Sequence, residues 1–197
     1  HQQDRYRLDA FAIEPMPKGL LADREIQDIE AVARVIAKVR KKIPKQAAYA
    51  VAAVSGQTVI SKVIYMDVNL NDEELAGQIE IEADSLIPYP LNEVSLDFEK
   101  LEVNESDPSK VNVLLSAART ESIDVRVEAM DNGGFEAKVI DVESSALSRA
   151  SMLCLSQLDN EEHDKVIGML DIGANMTLFS VVQNNESIYT RDQMFGG

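Results

Sequence analysis

Lys165-Val166-Ile167-Gly168-Met169-Leu170-Asp171-Ile172-Gly173-Ala174-Asn175-Met176-Thr177 is an apolar run that stops at an aspartate, turns through small and polar residues, and resumes as Leu178-Phe179-Ser180-Val181-Val182. The pattern predicts a strand, a tight turn and a second strand. Such a turn can hold a phosphate: Gly173 lets the backbone approach closely, Thr177 supplies a hydroxyl, and Asp171 can hold a magnesium-bound water. An ordinary β-hairpin would read the same way, with Asp-Ile-Gly as no more than its turn. The decision between them rests on the rest of the chain.

Upstream, residues 138–142 form an apolar strand that passes directly into a helix beginning Glu143-Ser144-Ser145-Ala146-Leu147-Ser148. Glu143 therefore stands where a strand hands over to a helix, a common place for a site residue in an α/β sheet. The small residues after it suit close packing on another backbone. Residues 159–164, which include His163, are acidic and read as a solvated loop; a lone exposed histidine is a poor ligand site.

The first 55 residues carry an α/β texture. Residues 6–14 alternate apolar and polar and close on Glu14-Pro15-Met16-Pro17, which predicts a strand leaving into extended chain. Ile26, Ile29, Val32, Ala33, Ile36 and Val39 recur at threes and fours, and Lys38, Arg40, Lys41 and Lys42 gather at the far end, where cations suit the helix dipole. This predicts an amphipathic helix over 28–43, stopped by Pro44. A buried strand follows over 47–54 and enters a turn at Ser55-Gly56.

A change of texture near 55–57 suggests a subdomain boundary. Residues 59–65 read as a strand, and Asn71 opens a helix with Asp72, Glu73 and Glu74 in its first turn. Leu75, Ile79, Ala83, Leu86 and Ile87 make its buried stripe, while Glu80, Glu82 and Asp84 make an acidic, solvated outer face. Pro88-Tyr89-Pro90 ends it. Val94, Leu96 and Phe98 then alternate with polar residues, and a polar loop over 104–110 leads to an apolar strand over 111–118. Thr120 or Ser122 caps a further helix with Ile123, Val127 and Met130 on one side, ended at Gly133-Gly134 by a left-handed cap.

Composition narrows the function. A chain of 197 residues with 45% hydrophobic content can bury a core, and its formal charge of −15 opposes nucleic acid and anionic membrane surfaces. The one cysteine, Cys154, cannot form an internal disulfide and lies in an apolar helical pattern, which suits a reducing cytoplasm. No apolar run is long enough to span a membrane and no signal peptide is visible, so any membrane link is expected to be indirect. The absence of an initiator methionine and the end at Gly196-Gly197 suggest a chain cut at both ends. Two histidines, no cysteine/histidine cluster, no G-x-S-x-G and no Walker lysine loop argue against protease, deaminase and P-loop chemistry.

The run Gln78-Ile79-Glu80-Ile81-Glu82-Ala83-Asp84-Ser85-Leu86-Ile87-Pro88-Tyr89-Pro90-Leu91-Asn92-Glu93-Val94-Ser95-Leu96-Asp97-Phe98 resembles the helix and I-P-Y-P-L-x-E-V-x-x-D-F signature of the PilM family, cytoplasmic actin-like proteins of type IV pilus assembly. Residues 6–15, 55–62, 139–143 and 187–197 also resemble that family's segments, in the family's order. The resemblance implies an α/β, actin-like (FtsA/PilM-type) ATPase fold, here partial, with an inserted α/β subdomain.

It divides the chain into a partial subdomain 1A over 1–57 and the insert 1C over 58–119, which on a longer reading reaches about 135. A return to 1A with the connecting helix follows over 136–164, and the start of subdomain 2A over 165–197. It makes Asp171, Gly173, Ala174 and Thr177 the second phosphate loop, binding ATP with Mg2+ held through water by Asp171, and Glu143 and Asp171 the catalytic acids. A first phosphate hairpin and an adenine-binding half are expected outside the chain, and Asn175-Met176 is a variation within the loop.

The function implied is a nucleotide-binding scaffold at the pilus inner-membrane platform. Its partners would be the cytoplasmic amino-terminal peptide of PilN, other platform proteins and, in a homo-oligomer, further copies of itself. It would be cytoplasmic and peripheral to the inner membrane, without inserting directly or binding nucleic acid. The alternatives are a non-catalytic scaffold like the GspL cytoplasmic domain of type II secretion, or an ATPase whose turnover drives assembly. ATP binding is expected of the intact protein, with weak or no hydrolysis and none by the chain as given.

Overall fold

Asn71 shows how local chemistry sets an element. Its side chain accepts from the backbone N–H groups of Glu73 and Glu74 at 3.0 Å each, and Glu74 Oε2 accepts from the Asn71 N–H at 3.1 Å. This reciprocal box starts the helix Asp72–Leu86 with three acids in its first turn. The helix ends where Pro88 and Pro90 deny it further amides, and a 3-10 turn at Leu91–Glu93 leads the chain back into strand.

The computed structural model describes residues 7–22, 24–55, 59–155, 166–183 and 186–197. In chain order the elements are β1 Leu21–Ala22, β2 Glu25–Ile26, α1 Ile29–Lys42, β3 Tyr49–Val54, β4 Val59–Asp67, α2 Asp72–Leu86, β5 Val94–Val103, β6 Lys110–Arg119, α3 Thr120–Asn132, β7 Glu136–Val142, α4 Glu143–Leu155, β8 Ile167–Ile172, β9 Thr177–Gln183 and β10 Glu186–Gln193. They fall into two compact units, His1–Ala52 with Asp124–Ile140, and Ala53–Ile123 with Asp141–Gly197.

In the first unit Asp28 caps α1 by accepting from the Ala31 N–H at 2.8 Å, and Val32, Ala33 and Val35 are its buried residues. Arg40 gathers the chain around the helix end. It donates to the carbonyls of Pro44, Lys45 and Gly134 at 3.2, 3.0 and 3.0 Å and lies 5.1 Å from the centre of the Phe135 ring. Gly134 has φ +87° after α3, the left-handed position expected at this cap. β3 pairs with β7.

Two expectations fail here. Residues 7–14 form no strand, and Leu8, Phe11 and Ile13 are each more than 70% exposed. A strand is a pairing, and among the described residues no neighbouring strand is hydrogen-bonded to this stretch; Tyr6 lies outside the described residues. The buried line of α3 is not Ile123, Val127 and Met130, which are half-buried, but Ser122, Arg126 and Ala129. Arg126 tolerates burial because its guanidinium meets Glu25 Oε2 at 3.0 Å and the Arg24 carbonyl at 2.8 Å, pinning the β1–β2 hairpin.

In the second unit β4, β6 and β5 form an antiparallel sheet in that order, with Ile64 opposite Val113 and Phe98 opposite Leu115. One face packs on α2. Leu75, Ile79, Ala83 and Ile87 from the helix meet Ile64, Met66, Val111, Val113, Leu115 and Ala117 from the sheet, all nearly or wholly buried. The helix stripe is the one its spacing predicts, and Leu86 packs at its margin. Thr120 proves to be the first helical residue of α3, its hydroxyl hydrogen-bonded to Ser95 at 3.0 Å.

β8, β9 and β10 form a second antiparallel sheet with β9 central. Among the described residues the strands thus sort into separate sheets of two and three strands. The Gly56 end of the expected boundary turn, and the acidic loop with His163, lie outside the described residues, as does the side chain of Cys154.

Candidate functional site

β8 and β9 are joined by a four-residue turn. Asp171 pairs with Leu178 and Ile172 with Thr177, after which Gly173 donates its N–H to the Met176 carbonyl at 2.9 Å and closes the turn. Asp171 is exposed, one residue before the end of β8; Gly173 is half-buried, Ala174 and Asn175 are exposed at the tip, and Met176 and Thr177 are buried. The structure therefore places Gly173 and Ala174 in the turn and Asp171 and Thr177 on the strands flanking it, Asp171 sharing a face with Leu178 and Thr177 sharing the other with Ile172. Glu143 is elsewhere, the first residue of α4, half-buried at the junction with β7. α4 packs on β9 and β10.

The third strand reaches this turn, which the residue pattern alone did not show. β10 runs antiparallel to β9 from Glu186 opposite Gln183 to Gln193 opposite Thr177, and residues 194–197 then cross the turn. Gly197 donates to the Gly173 carbonyl at 3.1 Å, and the Thr177 hydroxyl donates to the Phe195 carbonyl at 2.9 Å. Gly196 lies so close that a Cβ there would stand 2.3 Å from the Ala174 carbonyl carbon and oxygen and 2.5 Å from the Gly173 oxygen. Only glycine fits against that backbone. The available signal was the Gly196-Gly197 pair, separated by two residues from the weakly alternating stretch that ends at Gln193.

The turn has the donors an anion needs. The amides of Ala174 and Asn175 have no hydrogen-bond partner among the described residues, and both residues are exposed. Beside the turn, Asp171 of β8 and Asp192 of β10 both stand opposite Leu178 and are exposed. Among the described residues no group of three or more metal-ligating side chains exists. That donor set fits Mg2+ only when phosphate oxygens and water complete its shell, which is how this ion is usually held. Beneath the sheet, Leu178, Ser180 and Val182 of β9 are buried, and Ser180 Oγ has no hydrogen-bond partner among the described residues. Its other face exposes Leu170 and Ile172 beside Phe179, which meets Tyr189 edge-on at 6.2 Å.

The chain is mixed α/β and has the actin-like ATPase fold. A family model described as type IV pilus assembly protein PilM matches residues 1–197, and the chain belongs to that family. Among solved structures it is similar to the PilM-PilN type IV pilus biogenesis complex, at 28% identity over 93% of this chain and 54% of that one, with a TM-score of 0.75. It is also similar to the cytoplasmic domain of EpsL, an inner membrane component of the type II secretion system of Vibrio cholerae, at 10% identity over 83% of this chain and 56% of that one, with a TM-score of 0.52. The second likeness is one of fold alone. The chain spans about half the length of these solved structures, and no helix among its described residues is long and apolar enough to cross a membrane.

Proposed function

We propose that the protein is a nucleotide-binding scaffold of the type IV pilus assembly platform, receiving the cytoplasmic amino-terminal tail of PilN. The observation that supports this most is the agreement with the PilM-PilN complex over 93% of the chain. In this reading the protein is cytoplasmic and joins the inner membrane through its partner. Residues 58–119, from β4 through β6, are the inserted subdomain in this reading, with its own core beneath α2.

ATP with Mg2+ belongs to the turn between β8 and β9. The Ala174 and Asn175 amides would face phosphate oxygens, and Asp171 would orient a metal-bound water. When bound, the metal would supply charge neutralisation at the phosphates. Glu143, at the head of α4, would act as a base toward water. Retention of both acids favours this reading over a scaffold that has dispensed with nucleotide. A peptide of the PilN cytoplasmic tail titrated calorimetrically into the intact protein should bind saturably with one site per chain. Absence of heat and of any fluorescence change at high micromolar peptide, on folded protein, would remove the partner from the account.

A further inference from the structure

We infer that Thr177 is a positioning residue: its hydroxyl holds the chain after β10 across the β8–β9 turn, instead of contacting a phosphate itself. This inference rests on the nucleotide reading for its consequence but not for its geometry. A threonine hydroxyl has one proton to donate, and phosphate oxygens only accept. That proton is directed to the Phe195 carbonyl at 2.9 Å, and Thr177 is 3% exposed.

The placement suits a pin. Thr177 begins the central strand of the sheet, opposite Ile172 on one side and Gln193 on the other, so it touches both the turn and the returning chain. Two residues beyond Phe195, Gly197 donates to the Gly173 carbonyl at 3.1 Å, and between them Gly196 leaves no room for a Cβ over Ala174. The hydroxyl fixes Phe195, which sets Gly196 and Gly197 on the turn backbone. The Gly173 and Ala174 peptides are thereby held from outside while the Ala174 and Asn175 amides stay available at the tip. Nucleotide affinity then depends on Thr177 through the shape of the turn.

The test uses the intact protein and its Thr177→Val and Thr177→Ser variants, read by hydrogen exchange at the Gly197 amide and by MgATP affinity. Valine keeps the shape and burial without the donor; serine keeps the donor. Loss of the pin should lower Gly197 protection about tenfold and weaken MgATP by a similar factor, the scale of one hydrogen bond. Thr177→Ser should keep both within about twofold. If Thr177→Val weakens MgATP and leaves Gly197 protection unchanged, the hydroxyl is a direct ligand and the inference is wrong; unchanged values in both readouts also overturn it. Should wild-type protein not bind MgATP, the nucleotide reading fails while the exchange comparison still decides the pin. If the valine variant does not fold, Thr177→Ala carries the same comparison.

Discussion

Replacing Gly196 by alanine perturbs the turn at one atom. The added Cβ would meet Ala174 C and O at 2.3 Å and Gly173 O at 2.5 Å, all backbone atoms. Ordinary carbon contacts lie near 3.5 Å, so roughly 1 Å of separation must be found. The chain takes the cheaper way to find it. Moving the turn strains the β8–β9 hairpin, whereas lifting residues 194–197 breaks two hydrogen bonds, Gly197 to Gly173 and Thr177 to Phe195. At about 0.5 to 1.5 kcal/mol each, that loss is about 1 to 3 kcal/mol, near the usual cost of overpacking. If seating of this segment shapes the turn, MgATP binding by the intact protein should weaken by about 5- to 150-fold, since about 1.4 kcal/mol is a factor of ten. Gly197→Ala is the control. Its Cβ would find only Ile172 Cγ2 at 4.0 Å, and it should bind as wild type. Equal affinity and equal Gly197 exchange in Gly196→Ala and wild type would refute the reasoning.

Three further outcomes follow from other parts of the molecule. Ile79→Ala, which empties a wholly buried site under the β4–β6–β5 sheet, should cost about 2 to 5 kcal/mol in denaturant unfolding, and a cost below about 1 kcal/mol would mean the helix does not pack as described. Hydrogen bonds from the Ser109 side chain and backbone hold the Asp107 carboxyl below its ordinary range. Because the folded value is the lower one, this stabilisation is present above the unfolded pKa and is lost as pH falls through the folded one. The stability gap between wild type and Asp107→Ala should therefore narrow from pH 6 toward pH 3; a constant gap contradicts it. Glu143→Gln in the intact protein should lower single-turnover hydrolysis by about ten- to a hundredfold with little change in MgATP affinity, and an equal fall in both would take the base role away from it.

What could be read from the residues followed from local chemistry. Asn71 and Glu74 sit three apart ahead of an apolar stripe, so both ends of the capping box and the buried face of α2 were visible in one window. The turn at Gly173 was equally local. Arg126 was not legible, because a buried arginine depends on Glu25 a hundred residues away, and nothing within α3 announces that partner. Residues 7–14 show the converse: their alternation is a strand pattern, but pattern does not supply the neighbouring strand. β10 was visible only as a resemblance, since Ser187-Ile188-Tyr189-Thr190-Arg191-Asp192-Gln193 alternates weakly and owes its extension to pairing with β9. The crossing of the turn by residues 194–197 depends on that pairing in turn.

The most direct measurement of the central claim is MgATP binding by the intact protein beside its Asp171→Ala variant, followed with labelled nucleotide. Asp171 is exposed one residue before the end of β8, outside the buried core, so alanine there should leave folding intact. The account predicts saturable binding by wild type and a loss of about ten- to a hundredfold in the variant, about 1.4 to 2.7 kcal/mol, because the metal and its water lose their anionic orienting group. Equal affinity in the two proteins would contradict it, and Asp171-Ile172-Gly173 would then be the turn of a hairpin and nothing more.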